Sequence, residues 1–320
     1  MRQKDITRRE LLRGSAALGC LAAVPYYSRA AAHAGGAGYG QSQSSLQDAG
    51  KSIAGPSPLK VPSDGIIPVA FPISEGAVVI DFAGPWEVFQ DATGMDKGGF
   101  QLYTVAEKIE PIQVSGGMKV VPNYRFENAP APKVIVIPAQ AGDTDVMIRW
   151  IREATKNTDV TMSVCTGAFV LAKTGLLSGK AATTHHYAYS DLAMQYPDIQ
   201  VKRGYRFVEE GKIATAGGLT SGMDLALRVV ERYYGREKAE ATAFNLEYQG
   251  KGWLDASGAA NAIYAKAPGG NTCVICGMTV DPKTDPNTVY KGHTYYFCSE
   301  NHKALFDKGP EKALQLEMSQ

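Results

Sequence analysis

Val160-Thr161-Met162-Ser163-Val164-Cys165-Thr166-Gly167-Ala168-Phe169 reads as an apolar strand running straight into a helix. Ser163 and Gly167 stand two residues before and two after Cys165. A nucleophile on a sharp strand-to-helix turn needs such small neighbours, because larger side chains collide with the bent backbone. The turn exposes the side chain, and the positive end of a helix favours a thiolate over a thiol. The alternative is a cysteine filling a core strand, since free Cys packs as a small hydrophobe.

Outward from this turn the pattern alternates between strands and helices. Strands are expected at 66–73, 100–106, 118–121, 160–164 and 181–184. Lys133-Val134-Ile135-Val136-Ile137-Pro138 is apolar almost throughout, as a strand buried on both faces must be. Phe207–Glu209 and Ile213–Ala216 flank a turn at Glu210-Gly211-Lys212. Helices are expected at 82–92, 144–156, 167–174, 221–234 and 237–248. Repeated βα units give an α/β fold, a parallel sheet covered by helices on both faces. Sites in such sheets form beyond the carboxyl ends of the strands, where Cys165 lies.

The chain has 320 residues, 44% of them hydrophobic, with 33 basic against 32 acidic side chains. That balance offers nothing for nucleic acid to bind. At about 100–200 residues per domain the length suits one large domain and a small one. Thr7-Arg8-Arg9-Glu10-Leu11-Leu12-Arg13 precedes a short, weakly apolar stretch from Gly14 to Val24. It resembles a twin-arginine export signal, here taken as residues 1–34 and followed by small-x-small cleavage sites. Cys20 is expected to leave with it, a lipidation role being the lesser reading. The signal implies a periplasmic or extracytoplasmic protein, with no transmembrane helix once it is removed. Residues 35–64, rich in Gly, Ser, Gln, Ala and Pro, read as a flexible linker. A domain over 65–250, a second linker over 251–270 and a small unit over 271–316 follow.

Asp81-Phe82-Ala83-Gly84-Pro85-Trp86-Glu87, Cys165-Thr166-Gly167-Ala168, Thr174-Gly175-Leu176-Leu177-Ser178-Gly179-Lys180, Ala182-Thr183-Thr184-His185 and Thr215-Ala216-Gly217-Gly218-Leu219-Thr220-Ser221-Gly222 occur in that order. Together they resemble the ThiJ/PfpI superfamily (class I glutamine amidotransferase-like), and within it the isonitrile hydratase-like branch. The resemblance covers about residues 66–250. It implies a flavodoxin-like sandwich, a homodimer and a small-molecule substrate. It places Cys165 as nucleophile, Asp81 as its carboxyl partner and Thr166 as a donor to developing negative charge. No cofactor is needed for that chemistry. Asp81 read without the resemblance is a helix N-cap. The hydrolytic branch carries His directly after the cysteine, and Thr166 in its place argues against a Cys-His hydrolase. His185 and His186 are read as structural. The loop Pro138-Ala139-Gln140-Ala141-Gly142 departs from the family's Pro-Gly-Gly, which leaves substrate and activity open.

Near the C-terminus Cys273-Val274-Ile275-Cys276 precedes Cys298-Ser299-Glu300-Asn301-His302. A C-x-x-C turn grips a metal from two sides, and Cys298 and His302 lie one helical turn apart. Three thiolates and one imidazole make a closed tetrahedral set typical of structural zinc. A Cys273–Cys276 disulfide is the alternative in an oxidising compartment. The segment resembles a YHS domain, which is linked with heavy-metal handling and usually carries Cys where this chain has His302. Zinc is the favoured ion, with copper or iron as the alternatives. A unit this small needs such a staple to bury enough core. The expected function is that of an exported cysteine-dependent enzyme. The alternatives are a non-enzymatic metal-handling or stress-response protein and, less favoured, the ligand-binding half of a transcription regulator.

Overall fold

In a computed structural model, which describes residues 57–93, 99–254, 272–276 and 278–318, the βα alternation builds a seven-stranded sheet. The chain runs through β1 (Ile66–Pro72), α1 (Val79–Thr93), β2 (Gly99–Ala106), β3 (Ile112–Gln113), β4 (Lys119–Val120), β5 (Tyr124–Arg125), β6 (Val134–Ile137) and α2 (Asp145–Thr155). It continues with β7 (Val160–Val164), α3 (Gly167–Lys173), β8 (Ala181–Ala182), α4 (Tyr189–Gln195), β9 (Gln200–Val201), β10 (Phe207–Glu210), β11 (Ile213–Ala216), α5 (Ser221–Tyr234) and α6 (Arg236–Asn245). The sheet order is β10-β11-β7-β6-β1-β2-β5, parallel throughout except for the β10–β11 hairpin at one edge.

Side-chain alternation along β6 shows how the sheet is covered. Val134 and Val136 pack into a core with Phe82, Phe89, Leu225 and Val229 of α1 and α5. Ile135 and Ile137 pack on the other face with Ile151 of α2 and Leu171 of α3. Both faces of a central parallel strand are therefore apolar, as its sequence requires. The order reverses beside β1, whose neighbours are β2 and β6, so a crevice opens at the carboxyl ends of β1, β6 and β7.

Several expectations need correction. The expected strand at 118–121 is only Lys119–Val120 and pairs with β3 in a separate hairpin outside the main sheet. The edge strand β5 and helix α4 were not foreseen. Packing begins before residue 65: Leu59 N–H donates to the Arg232 carbonyl at 2.7 Å, and Leu59 and Val61 rest on the core. It also persists past residue 250, where buried Trp253 donates its N–H to Asp224 Oδ1 at 3.2 Å. The export signal, most of the first linker and most of the second lie outside the described residues. Among the described residues no helix is long and apolar enough to cross a membrane.

Gly167 is dictated by a close approach. A Cβ there would stand 2.3 Å from the Ile137 carbonyl oxygen and 2.8 Å from that of Pro138. The start of α3 can lie against the end of β6 only without a side chain. Gly167→Ala is expected to cost about 3 kcal/mol or more, because the clash is with backbone that cannot rotate away. Thermal unfolding should show a fall of roughly 6–12 °C in Tm; an unchanged Tm would contradict the close approach.

The C-terminal unit pairs β12 (Asn287–Tyr290) with β13 (His293–Tyr296), followed by α7 (Glu300–Lys308) and α8 (Pro310–Met318). Its core is small: Ile275, Val280, Phe297, Phe306 and Ala313 surround Cys273 and Cys276.

Candidate functional site

Cys165 sits at φ 58°, in the left-handed region that a non-glycine residue enters only under constraint. Its N–H is shared between the carbonyls of Ala216 at 3.2 Å and Gly217 at 2.9 Å. Its own carbonyl accepts the Thr184 hydroxyl at 2.9 Å. The elbow is thus fastened by the end of β11 and by the segment after β8, and the strained backbone is over-determined. The motifs around Thr183-Thr184-His185 and Gly217-Gly218, far apart in sequence, meet here.

Asp81 enters from the first turn of α1 and is wholly buried. It lies inside the helix, so the N-cap alternative does not hold. Its Oδ2 accepts the Ala139 N–H at 3.1 Å, while its Oδ1 is buried without a hydrogen bond of full geometry. Burial pushes its carboxyl up to about 7, opposed by the Ala139 N–H and by the neighbouring Cys165 thiol. Such a group is a carboxylic acid and a carboxylate in comparable amounts near neutrality. Ser163 Oγ, on β7 two residues before the elbow, is also buried without a partner.

Burial works against the thiolate that the helix start favours. Burial first, and the Asp81 charge second, push the Cys165 thiol up to about 12. The Thr166 and Leu219 N–H groups and the Thr166 hydroxyl favour the thiolate, but they do not outweigh desolvation. Helix α3 is only seven residues long, so its dipole is weak. Thr166 thus lies beside the sulfur, with Leu219 as a second donor whose role no sequence motif revealed. Leu219, at φ 47°, shares the left-handed backbone of the elbow.

The loop Pro138–Gly142 is held firmly despite its altered sequence. Gln140 accepts the Ser74 hydroxyl at 2.8 Å and donates to the Pro72 carbonyl at 3.2 Å. The Ala141 and Gly142 N–H groups both reach the Glu75 carbonyl at 3.1 Å. His185 packs over Gly218, where a Cβ would stand 2.4 Å from its Cδ2. Burial first, then His186, lower the His185 imidazole to about 4, so it is neutral near pH 7.

The raised pKa of Asp81 carries a stability signature. Folded Asp81 holds its proton up to about pH 7, whereas the unfolded carboxyl releases it near 4. Between those values the native state binds more protons, so stability falls as pH rises through this window. Asp81→Asn should flatten that part of the pH–stability curve, read by denaturant titration at pH 4.5 and 8. An identical slope in both proteins would count against a buried, titrating Asp81.

In the C-terminal unit Cys273, Cys276, Cys298 and His302 converge, their ligand atoms all within 4.8 Å of one another. His302 Nδ1 lies 3.3 Å from Cys298 Sγ and 3.5 Å from Cys273 Sγ, and Cys276 Sγ lies 3.5 Å from Cys298 Sγ. Donors of a tetrahedral zinc centre stand about 3.3–3.8 Å apart, so the set fits a metal. All four thiols of the described residues are free, which leaves no Cys273–Cys276 disulfide. The hydrogen bond between Cys276 and Cys273 lowers the Cys273 thiol and raises the Cys276 thiol, and Asp191 first, then Cys273, raise His302 to about 10. A cation bound here would displace the protons still held by the thiols and by the ligating ring nitrogen of His302. Four protein donors would leave a tetrahedral ion no open position.

A cleft of about 350 Å³ separates elbow and cluster. Gln140, Thr166 and Tyr187 line it from the α/β side, and Cys276 and His302 from the other. Asp191 of α4 also faces it, a residue that no motif singled out.

Comparison with known proteins places both parts of the chain in known families. The DJ-1/PfpI family model matches residues 68–232, and the YHS domain model matches residues 274–317. Isonitrile hydratase of Pseudomonas putida is 34% identical over 174 residues, 53% of this chain and 73% of that protein. The HTH-type transcriptional regulator CdhR of Pseudomonas aeruginosa is 26% identical over 175 residues, and the match spans only about half the regulator's length (51%). A ThiJ/PfpI family protein from Pseudomonas syringae superposes with a TM-score of 0.53 at 20% identity, covering 81% of this chain and 92% of that one. The family match spans just over half the chain and takes in both Asp81 and Cys165. This protein belongs to the DJ-1/PfpI family, in an isonitrile hydratase-like form joined to a YHS domain.

Proposed function

We propose that the elbow adds water to the terminal carbon of a small isonitrile-type substrate, with Cys165 as nucleophile and Asp81 as proton carrier. The observation that carries this reading is the buried Asp81–Cys165 pair, in which a neutral thiol meets a carboxyl that titrates near 7. An isonitrile carbon accepts both a sulfur and a proton. The S–C bond forms as the thiol proton passes to the Asp81 carboxylate. Asp81 then delivers that proton to the same carbon, which leaves a thioimidate. Water adds to the carbon, the C–S bond breaks, and sulfur leaves with a proton, so the product is an N-substituted formamide. The Thr166 and Leu219 N–H groups are the donors for the charge that develops on sulfur.

The test is formamide production from a small alkyl isonitrile, followed by NMR. Asp81→Asn should lower kcat by about 10²–10⁴-fold, the usual worth of a positioned acid–base group. The wild-type rate should change with an apparent pKa near that of Asp81, about 7. A pH-independent rate from pH 5 to 9 would remove Asp81 from the reaction.

The four-donor cluster supports a second reading, a metal-handling or stress protein in which the α/β domain is a scaffold. Metal binding without any isonitrile turnover would favour it. Export by the twin-arginine route is part of both readings and rests on the Thr7–Arg13 sequence. Signal-dependent appearance in a periplasmic fraction tests it. A homodimer rests on the family resemblance and is tested by light scattering.

A further inference from the structure

The YHS unit does not hold its metal alone: we infer that Asp191, on α4 of the α/β domain, is the outer carboxylate of the centre and makes metal occupancy and domain docking one event. The inference rests on the metal-binding reading of the Cys273, Cys276, Cys298 and His302 cluster. The geometry of His302 carries it. Its Nδ1 faces two sulfurs, 3.3 and 3.5 Å away, so this nitrogen is the ligand atom. Its Nε2 points out of the cluster, with Asp191 Oδ2 3.5 Å away. A metal-bound imidazole usually donates its second ring N–H to a carboxylate or carbonyl, which sets its orientation and strengthens it as a ligand.

Asp191 is itself held for this task. Its Oδ1 accepts Gln195 Nε2 at 2.8 Å, one turn along α4, which leaves Oδ2 for His302. Met194 of the same helix packs into the apolar cluster of the C-terminal unit. Helix α4 therefore meets the YHS unit through both polar and apolar contacts. The same helix follows directly on the segment whose Thr184 hydroxyl holds the Cys165 carbonyl and whose Tyr187 lines the cleft. A metal gripped through His302 thus fastens the wall facing the elbow cleft.

The test uses the full chain with Zn²⁺ and two readouts that need no turnover. The first is Zn²⁺ affinity by competition with a chromogenic chelator. The second is hydrogen exchange over residues 189–195 with and without Zn²⁺. Asp191→Asn keeps the size of the side chain and removes its charge. It should weaken Zn²⁺ about 10–100-fold and abolish the Zn²⁺-dependent protection of α4 expected in the wild type. Asp191→Glu, which restores the carboxylate, should recover part of the affinity. If Asp191→Asn binds Zn²⁺ as tightly as wild type, the inference fails while the metal-binding reading stands, even if α4 exchanges faster. If the wild type binds no Zn²⁺, both fail.

Discussion

Cys165→Ala should abolish isonitrile hydration, with kcat down by on the order of 10⁴-fold or more, and leave the fold intact. Removal of a covalent nucleophile leaves only binding and the remaining donors, and losses of this size are usual for such groups. The fold should survive because alanine fills most of the same buried space and suffers the same left-handed backbone at φ 58°. Cys165→Gly separates the two contributions. Glycine adopts that φ without cost, so this variant should be at least as stable as Cys165→Ala and equally inactive. Circular dichroism and Tm check the fold, and NMR detection of the formamide checks the chemistry. Turnover retained in the folded alanine variant would end the nucleophile assignment.

The Cys273→Ser/Cys276→Ser double variant should lose its metal and, with it, the order of the C-terminal unit. The apolar cluster there is only a handful of side chains, among them Ile275, Val280, Phe297 and Phe306. A structural zinc centre supplies about 10–16 kcal/mol to the folding of comparable small units. Two remaining donors, Cys298 and His302, cannot close a tetrahedron. Elemental analysis should fall from one ion per chain to none, and limited proteolysis should cut within residues 272–318. The α/β domain should keep its own unfolding transition, because its two cores, packed on either face of the sheet, are built without those residues. Full metal retention in the double variant would overturn the four-donor centre.

Much of the fold was legible because its signals are local. The apolar run Val134–Ile137 must be buried on both faces, and the strand over Val160–Val164 and the helix over Ser221–Tyr234 agree with expectation to the residue. Short elements were not legible. Tyr124–Arg125 becomes a strand only because β2 offers it an edge, and two residues carry no period of their own. Likewise Lys119–Val120 has strand character but pairs outside the main sheet, since pairing choice lies outside the segment.

The same division runs through the site. Residue type and spacing pointed to the elbow at Cys165 and to Cys273, Cys276, Cys298 and His302, because turns and ligand geometry depend on near neighbours in the chain, whereas Asp81 and Thr166 were drawn only through the family resemblance. Protonation depended instead on burial by side chains and backbone drawn from several strands and helices. That burial makes Cys165 a thiol where a helix start implied a thiolate, and lifts Asp81 to about 7. Leu219 and Asp191 became legible only once β11 and α4 had been brought against groups more than fifty residues away in the chain. Desolvation and long-range contact are properties of the packed whole, and no local pattern of residues encodes them.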